Sequence, residues 1–356
     1  MSGKNAHIFK LLRGNEWWNS KTPFGLNIIF ATFYLNKTIL NWELFGYILL
    51  WLLALIGIAG FGYFINDCFD IENDLRAGKK NIASALSFDS RIAIICGLLF
   101  LGVFPWLFFP VSLTLYGLVF FQLITLAIYA IPPFRLKDKR FVGILADVLY
   151  AFVFPFGITY TAFNLLGSTQ FKPSNLAQCL FFFWIFLVGT RNILKHHLED
   201  KLNDYGTRTY NLAHHLDLKK IQIIIQLAEL ICLLSLFALL PGLKMGLILV
   251  LFFLLSHYLL SKQLPFFGWI SQKQEEVEEL QLNILYEHWF PVFFAIAWLQ
   301  FSALSFAVLL AIWILFDNLL IKTVITQTWQ ILIRVIKKSP FLYNLLQKIY
   351  RKLTRF

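Results

Sequence analysis

The stretch 44–74, LFGYILLWLLALIGIAGFGYFINDCFDIEND, decides the fold of this chain. Residues 44–65 carry no charged side chain, and an apolar run of that length can cross a bilayer as a helix. The run ends in a group of acidic side chains. The stretch therefore predicts a membrane-spanning helix with a polar site at one end.

The composition of the whole chain agrees with a membrane protein. Of its 356 residues, 58% are apolar or aromatic and 14% are charged, against about 25% charged in an ordinary soluble domain. This excludes a disordered chain, a disulfide scaffold and a typical cytosolic enzyme. The four Cys are scattered and show no metal-binding spacing. We interpret the net charge of +11 as a sign of orientation and lipid contact, not of nucleic-acid binding.

Apolar runs long enough to span a bilayer recur along the chain. The sequence predicts an all-α, polytopic membrane helical bundle with about nine transmembrane helices around a central cavity. We expect the segment before residue 23 to lie in the membrane interface, with Trp17 and Trp18 at headgroup level. The nine runs lie near residues 23–40, 44–65, 92–109, 111–131, 142–163, 177–194, 221–240, 244–260 and 290–316.

Basic residues are distributed unequally between the two sets of loops. With the N-terminus in the cytoplasm, 20 of the 31 Lys and Arg fall in cytoplasmic segments, and only Lys37, Lys172 and Lys244 fall in the opposite loops. This asymmetry predicts that the basic loops, among them 66–91 and 191–220, lie on the cytoplasmic side. The expected location is the cytoplasmic (inner) membrane.

The sequence predicts two regions, a membrane domain over 1–316 and a basic tail over 317–356. The tail carries eight Lys and Arg, yet nine spans leave it outside. Either the run 290–316 does not cross the bilayer as a simple span, or the tail lies on the membrane surface as an amphipathic helix. Both interpretations stay open.

Two acidic clusters have the same spacing. Asp67, Asp70 and Asp74 stand at i, i+3 and i+7 and share one helix face, with Asn66 beside them. Three carboxylates on one face repel each other, and a bound cation reverses that penalty. Oxygen ligands suit Mg²⁺, which commonly binds a few carboxylates together with substrate phosphates. The second cluster repeats the spacing with His197, Asp200 and Asp204.

A structural interpretation of these clusters is that acidic residues at the end of a span only cap the helix or face water. Two clusters with matched spacing on the same side argue against it. They predict a site that holds two Mg²⁺ ions around a diphosphate.

The clusters and their surroundings resemble motifs of the UbiA-type family of intramembrane prenyltransferases. The first cluster has the NDxxDxxxD pattern in full, and the second resembles DxxDxxxD with His197 in the first acidic place. The resemblance covers about residues 8–316, and nine spans is the number in that family. Shorter similar segments are Leu11-Leu12-Arg13, Ile82-Ala83-Ser84 behind Lys79-Lys80, YAIPPFRLKDKR at 129–140 and Gly206-Thr207-Arg208-Thr209.

Four features depart from the family pattern. His197 replaces a carboxylate, which puts one metal ligand in doubt. Gly206 follows Asp204 two residues sooner than usual, and Asn81 and Gly14 stand where Pro is common. The tail after residue 316 has no recognisable counterpart.

The resemblance implies Mg-dependent transfer of a prenyl chain from a prenyl diphosphate to a small-molecule acceptor, with release of pyrophosphate. It implies that the metal-diphosphate unit is held by Asp67, Asp70, Asp74, Asp200 and Asp204. Side chains that could contact the substrate are Asn66, Lys79, Lys80, Arg135, Lys137, Lys195, His197 and Arg208. The Lys and Arg side chains of this set could equally have no contact with substrate and contribute only to the excess of positive charge in the cytoplasmic loops.

Asp147 lies inside the fifth predicted span. A carboxylate within a membrane is costly and usually faces a polar cavity. Asp147 either orients or deprotonates the acceptor, as a catalytic residue, or accepts a structural hydrogen bond.

Two other functions stay open. One is a UbiA-like terpene cyclase without a separate acceptor. The other is a non-catalytic lipid-binding or transport protein on the same scaffold. The sequence does not decide the acceptor, the length of the donor chain or the oligomeric state. The expected partners are a prenyl diphosphate, an acceptor and membrane lipids, with no nucleic acid.

Overall fold

The computed structural model describes residues 12–76, 78, 80–169, 171–200, 218–261 and 282–298, and for some of these, such as 198–200, only the backbone. Every regular element within these ranges is helical. The predicted tail 317–356, and with it the division into two regions, lies outside the described residues and stays a prediction.

The described chain forms eleven helices. Two pairs are continuous through a π-helical turn: α5 and α6 through Leu149–Val153, and α10 and α11 through Leu285–Trp289. The bounds are α1 Gly14–Leu35, α2 Trp42–Arg76, α3 Phe88–Val103, α4 Leu113–Ala130, α5 Arg140–Val148, α6 Phe154–Leu165, α7 Asn175–Asp200, α8 Leu218–Leu239, α9 Lys244–Ser261, α10 Leu282–Ile284 and α11 Phe290–Trp298.

The predicted membrane bundle is confirmed. Within the described ranges, six helices are long and apolar enough to cross a membrane. Two other predicted runs overlap α1 and α9, and α11 covers residues 290–298 of the run 290–316, the rest of which lies outside the described residues. About nine helical segments therefore match the nine predicted spans.

The start of the first helix differs from the sequence prediction. It begins at Gly14, nine residues before the predicted span near residue 23, and Trp17 within it is 2% exposed. The Trp17 indole donates a hydrogen bond to the carbonyl of Leu12 at 3.0 Å. Tertiary packing therefore draws this polar, aromatic segment into the bundle.

The helices α1 and α2 organise the interior. Ile29, Phe30 and Phe33 of α1 are fully buried, and α1 packs against α6 and α11. α2 packs against α3, and a β-carbon at Gly57 would lie only 2.2 Å from the backbone nitrogen of Gly102. Two glycines at the crossing let these backbones approach closely, as is common in membrane bundles.

The two ends of the bundle are held together differently. At one end, Asn36 after α1 receives hydrogen bonds from the Thr169 hydroxyl at 3.3 Å and the Phe171 backbone N–H at 2.6 Å. At the other end lie the start of α1, the end of α2 and the loop 131–139. We call this second end, where residues 66–74 lie, the motif end.

Candidate active site

The acidic face of α2 is paired with cations and an amide from other parts of the chain. Arg13, just before α1, places its guanidinium 3.3 Å from the carboxylate of Asp67. Glu16 accepts a hydrogen bond from Arg13 at 2.7 Å, and the ring of Tyr63 lies 5.1 Å below the guanidinium. These contacts hold the start of α1 against the end of α2.

Asn81 binds the same face from the loop after α2. Its amide donates to the backbone carbonyl of Asp67 and to the carboxylate of Asp74, both at 2.8 Å. Asn81 is buried, so these hydrogen bonds replace water around the last turns of α2. Asn81 stands where the family pattern commonly has proline, which could not donate them.

The loop 131–139 supplies two cations to the third carboxylate. Arg135 donates to Asp70 at 2.6 Å and to the backbone carbonyl of Phe69 at 3.1 Å. Lys137 donates to the other oxygen of Asp70 and to the side-chain oxygen of Asn66, the latter at 2.5 Å. Two cations and two oxygen ligands therefore meet within one turn of α2.

The surroundings affect these cations differently. Burial would lower the pKa of Arg135, but the charges and hydrogen bonds of Asp138 and Asp70 outweigh it and raise the pKa. The pKa of Arg13 is likewise raised, since Glu16 and Asp67 outweigh its burial. Burial lowers the pKa of the Lys137 ammonium, and the contact with Asp70 offsets only part of that effect.

A second polar layer lies deeper in the bundle, and backbone geometry explains its position. Pro155 has no N–H, so the carbonyl of Ala151, four residues earlier, lacks its helical donor. The Lys21 ammonium of α1 donates to that carbonyl at 3.2 Å and lies 3.0 Å from the ring centroid of Phe152. Lys21 therefore supplies a donor to a carbonyl of the π-helical turn Leu149–Val153, and its side chain faces the bundle interior.

Asp147 belongs to this deeper layer. The rings of Tyr129 and Tyr150 lie 4.8 Å apart, and the Asp147 carboxylate interacts electrostatically with both hydroxyls. Lys21, His196 and His197 interact with it through charge. Asp147 is half-buried, so it lies between helices and not against lipid alone.

Glu287 completes the layer from the π turn before α11. Its carboxylate interacts through charge with Lys21, Lys195 and Arg191. Ionisable side chains from four segments therefore interact with each other in this layer. The segments are α1, α5, α7 and the turn 285–289.

A buried ion pair lies beside this layer. Arg191 of α7 donates to Glu229 of α8 at 2.7 and 3.2 Å, and the two side chains are 3% and 0% exposed. Arg191 also donates to Asn283 at 2.7 Å, and Asn283 donates to Asn192 at 2.7 Å. The network joins α7, α8 and α10.

The structure brings together part of the predicted site. Asn66, Asp67, Asp70, Asp74, Arg135 and Lys137 lie in one group, and Asp147, Lys195 and His197 lie in the deeper layer. Lys80 is exposed beyond the end of α2. Asp200 ends α7, but only its backbone is described. Lys79, Asp204 and Arg208 lie outside the described residues, so their roles stay predictions.

The chemistry of the donors suits Mg²⁺. Carboxylates and an amide oxygen on α2 are the hard ligands that this ion prefers. Among the side chains that the structure describes, no three His, Cys, Asp or Glu groups come close enough to hold a metal by themselves. A Mg²⁺ ion here therefore needs further oxygen ligands, from a diphosphate or from the second cluster.

Comparison with a model of a protein family shows to which family the chain belongs. The model of the UbiA prenyltransferase family matches residues 26–285, which include the first acidic cluster, the loop 131–139 and α7. The chain belongs to the UbiA prenyltransferase family. No curated protein matches the sequence significantly.

Solved UbiA structures have a similar fold. A UbiA homolog from Archaeoglobus fulgidus bound to GPP and Mg²⁺ is 14% identical, with a TM-score of 0.57 over 84% of this chain and 98% of that chain. The same homolog bound to DMAPP and Mg²⁺ is 13% identical, with the same TM-score and coverage. At these identities the likeness shows the UbiA fold.

Several residues of the site were missed by sequence reasoning. Arg13 and Asn81 were noticed only as parts of the UbiA resemblance, although both contact the acidic face. Tyr129 was noticed only as part of the segment 129–140, and Lys21 and Glu287 were not singled out. Lys21 and Glu287 lie just before predicted spans, where charged side chains are common and do not by themselves indicate a site. Only the packing of α1 and the π turns shows that they face the interior.

Proposed function

We propose that this UbiA protein transfers a prenyl chain from a prenyl diphosphate to a lipophilic or aromatic acceptor, with Mg²⁺ as cofactor and pyrophosphate as the second product. The single observation that carries this proposal is the face of α2. There, three carboxylates stand at helical spacing, and one of them, Asp70, is paired with Arg135 and Lys137 from another loop. A diphosphate with its metal needs that combination of oxygen ligands and cations.

The proposed reaction breaks the bond between the allylic carbon and the diphosphate oxygen. The acceptor forms the new bond to that carbon and loses a proton. Bound Mg²⁺ would stabilise the negative charge that develops on the leaving diphosphate. Arg135 and Lys137, which pair with Asp70 in the structure, would turn to the phosphate oxygens. Asp67, Asp70, Asp74, Asp200 and Asp204 would hold the metal.

The deeper layer suits the acceptor. Asp147, which interacts electrostatically with Tyr129 and Tyr150, is the proposed catalytic residue that orients the acceptor or takes its proton. Lys195, His197 and Arg208 are proposed to contact the diphosphate from the second cluster. Lys79 and Lys80 are proposed to contact it from the loop after α2.

The position in the cell is also part of the proposal. The asymmetry of Lys and Arg supports an inner-membrane protein with the motif end in the cytoplasm. The arrangement of the loops agrees, because the segment before α1 and the loop 131–139 both contact the end of α2. The basic tail 317–356 is proposed to bind the membrane surface.

The test is a reaction in lipid nanodiscs with radiolabelled GPP. Mg-dependent release of pyrophosphate that EDTA abolishes supports the enzyme, and its absence with every donor supports a non-catalytic binding protein. Release that requires an added lipid extract supports a transferase, and release without any acceptor supports a cyclase. Mass spectrometry of lipids from cells with and without the gene then identifies the acceptor.

Metal binding should depend on the diphosphate. We expect isothermal titration to show little Mg²⁺ binding to the substrate-free protein, because the carboxylates of α2 are held by Arg13, Asn81, Arg135 and Lys137 and do not converge on one point. Addition of a non-hydrolysable diphosphate analogue should produce clear binding. Tight Mg²⁺ binding without the analogue contradicts this arrangement.

His197 should be less important than the carboxylates. Neutral imidazole is a poor ligand for Mg²⁺, and a protonated His197 beside carboxylates suits a diphosphate contact. We expect His197→Asp to keep substantial activity and His197→Ala to lose less than Asp200→Ala. Turnover is measured across a Mg²⁺ titration. A His197→Ala variant as inactive as Asp200→Ala, with a higher Mg²⁺ requirement, would identify His197 as a metal ligand.

A further inference from the structure

The chain folds into a tight hook at residues 12–17, where α1 begins. The backbone of Arg13 is in the left-handed region, at φ 48° and ψ 35°, a conformation that costs free energy for a residue with a β-carbon. Its carbonyl accepts a hydrogen bond from the Glu16 backbone N–H at 2.9 Å, and the carbonyl of Leu12 accepts one from the Trp17 indole at 3.0 Å. Strained residues of this kind persist only where their surroundings hold them, and they cluster at functional sites.

The side chain of Arg13 explains why this conformation is kept. Its guanidinium lies 2.7 Å from the Glu16 carboxylate and 3.3 Å from the Asp67 carboxylate. It also lies 5.1 Å from the centroid of the Tyr63 ring, an arrangement that favours a cation. Three contacts on one side chain therefore fix the guanidinium at the first carboxylate of the acidic face of α2.

The guanidinium keeps donors for a further anion. Its Nε donates to Glu16 and its Nη1 donates to Asp67, whereas Nη2 makes no hydrogen bond to the residues that the structure describes. An arginine has five N–H donors in a planar fork, which suits phosphate oxygens. The side chain of Arg13 is 37% exposed, against 11% for Asp67, so the guanidinium lies on the solvent side of that carboxylate.

The acidic face of α2 is contacted by cations from two separate segments. Arg13 contacts Asp67 from the hook, and Arg135 and Lys137 contact Asp70 from the loop 131–139. Asp67 and Asp70 are neighbours on one helix face. Each of these two carboxylates is therefore neutralised by a cation that comes from outside α2.

We infer that Arg13 exchanges between two anions. It neutralises Asp67 until a prenyl diphosphate arrives, and it then contacts the diphosphate while Asp67 binds Mg²⁺. The inference rests on the proposed function, because it takes the metal-diphosphate unit to bind at the acidic face of α2. Arg13 is then a residue that contacts substrate, and it couples the entry of the metal to the entry of the donor.

Charge gives the direction of the exchange. A cation beside a carboxylate repels a second cation, so Arg13 at Asp67 opposes the binding of the metal alone. A diphosphate carries more negative charge and more acceptor oxygens than one carboxylate, so it is the stronger partner for the guanidinium. When Arg13 turns to the diphosphate, Asp67 regains its full charge for the metal. The hydrogen bond from Nε to Glu16 can persist, so the movement is small.

Two binding measurements on the full-length protein in nanodiscs test the exchange, because they should change in opposite directions. Mn²⁺ takes the same oxygen ligands as Mg²⁺, and electron paramagnetic resonance detects the unbound ion. For Arg13→Gln we expect the Kd of Mn²⁺ without diphosphate to fall about five-fold, the effect of one lost ion pair. The Kd of a non-hydrolysable GPP analogue at saturating Mg²⁺ should rise about 10-fold, the effect of one lost charge-assisted hydrogen bond.

Two further variants control for net charge and for folding. Arg76→Gln removes a cation from the same end of α2, but Arg76 pairs with Glu72 and both side chains are exposed. It should leave both Kd values within about two-fold. Arg13→Gly removes the guanidinium at a backbone conformation that glycine adopts without strain, so the hook is kept. It should reproduce both changes seen with Arg13→Gln.

A second background locates the effect at Asp67. In an Asp67→Asn protein the competition for this carboxylate is already removed, so Arg13→Gln should leave the Kd of Mn²⁺ unchanged. An equal fall of this Kd in both backgrounds shows a general effect of charge and overturns the exchange.

The remaining outcomes separate this inference from the proposed function. If Arg13→Gln weakens the binding of both Mn²⁺ and the analogue, Arg13 only holds α1 against α2, and the inference fails. Unchanged binding of the analogue also overturns it, since Arg13 then makes no contact with the diphosphate. In both cases the natural protein still binds the analogue, and the proposed function stands. If the natural protein binds no prenyl diphosphate in the presence of Mg²⁺, the proposed function and the inference fail together.

Discussion

Asp70→Asn should lower turnover at least about 100-fold, because the loss of one preorganised electrostatic contact commonly costs 10²–10³ in kcat. Asp70 is proposed to hold the metal, and it also positions Arg135 and Lys137, whose donors contact both of its oxygens. The amide keeps the shape of the side chain but not its charge. The rate of pyrophosphate release from a prenyl diphosphate in nanodiscs measures the effect.

Glu72 supplies the matched control for this variant. It lies two residues further along α2 and, among the described residues, forms an ion pair only with Arg76, an exposed pair at 3.2 Å. Glu72→Gln should keep a rate within about two-fold, since exposed pairs contribute little. A correctly inserted Asp70→Asn variant with near-normal turnover would show that the metal assignment is wrong.

The structure changes what is expected for the stability of such variants. Repulsion among the carboxylates of α2 predicts that removal of one should not destabilise the empty protein, and could stabilise it slightly. The carboxylates are instead paired with Arg13, Asn81, Arg135 and Lys137. We therefore expect Asp70→Asn to lower the free energy of unfolding by about 1 kcal/mol, the size of partly buried polar contacts.

Arg191→Met should cause the largest loss of stability, about 3–5 kcal/mol in the free energy of unfolding. The variant leaves the carboxylate of Glu229 fully buried without its cation, and it removes the donor to Asn283. Unfolding in mixed detergent micelles, followed by circular dichroism, measures the loss.

A double variant separates the ion pair from the packing of the side chains. Arg191→Met with Glu229→Leu should recover at least half of the lost stability, because hydrophobic residues of similar volume often replace a buried pair at little cost. Arg76→Ala, in an exposed pair, should cost less than about 1 kcal/mol. If Arg191→Met alone is as stable as the natural protein, the buried pair does not join α7 and α8 as the structure indicates.

Much of the fold was predictable from the sequence alone. Apolar runs of about 20 residues must form helices in a bilayer, because every backbone polar group needs an internal partner there. The spacing of Asp67, Asp70 and Asp74 placed them on one face, because helical geometry is local. These arguments depend on residues only a few positions apart, so they need no knowledge of the tertiary structure.

The partners of the site residues depended on the tertiary structure. Arg13 and Asp67 are 54 positions apart, Arg135 and Asp70 are 65, and Lys21 and Ala151 are 130. Sequence shows that each side chain is charged or polar, but many helix arrangements would place such groups at the same end of a bundle. The close packing of particular helices selects one arrangement, and the π turns free individual carbonyls. Charge type and helical face therefore follow from the sequence, whereas the pairing of charges across helices follows from how the helices pack.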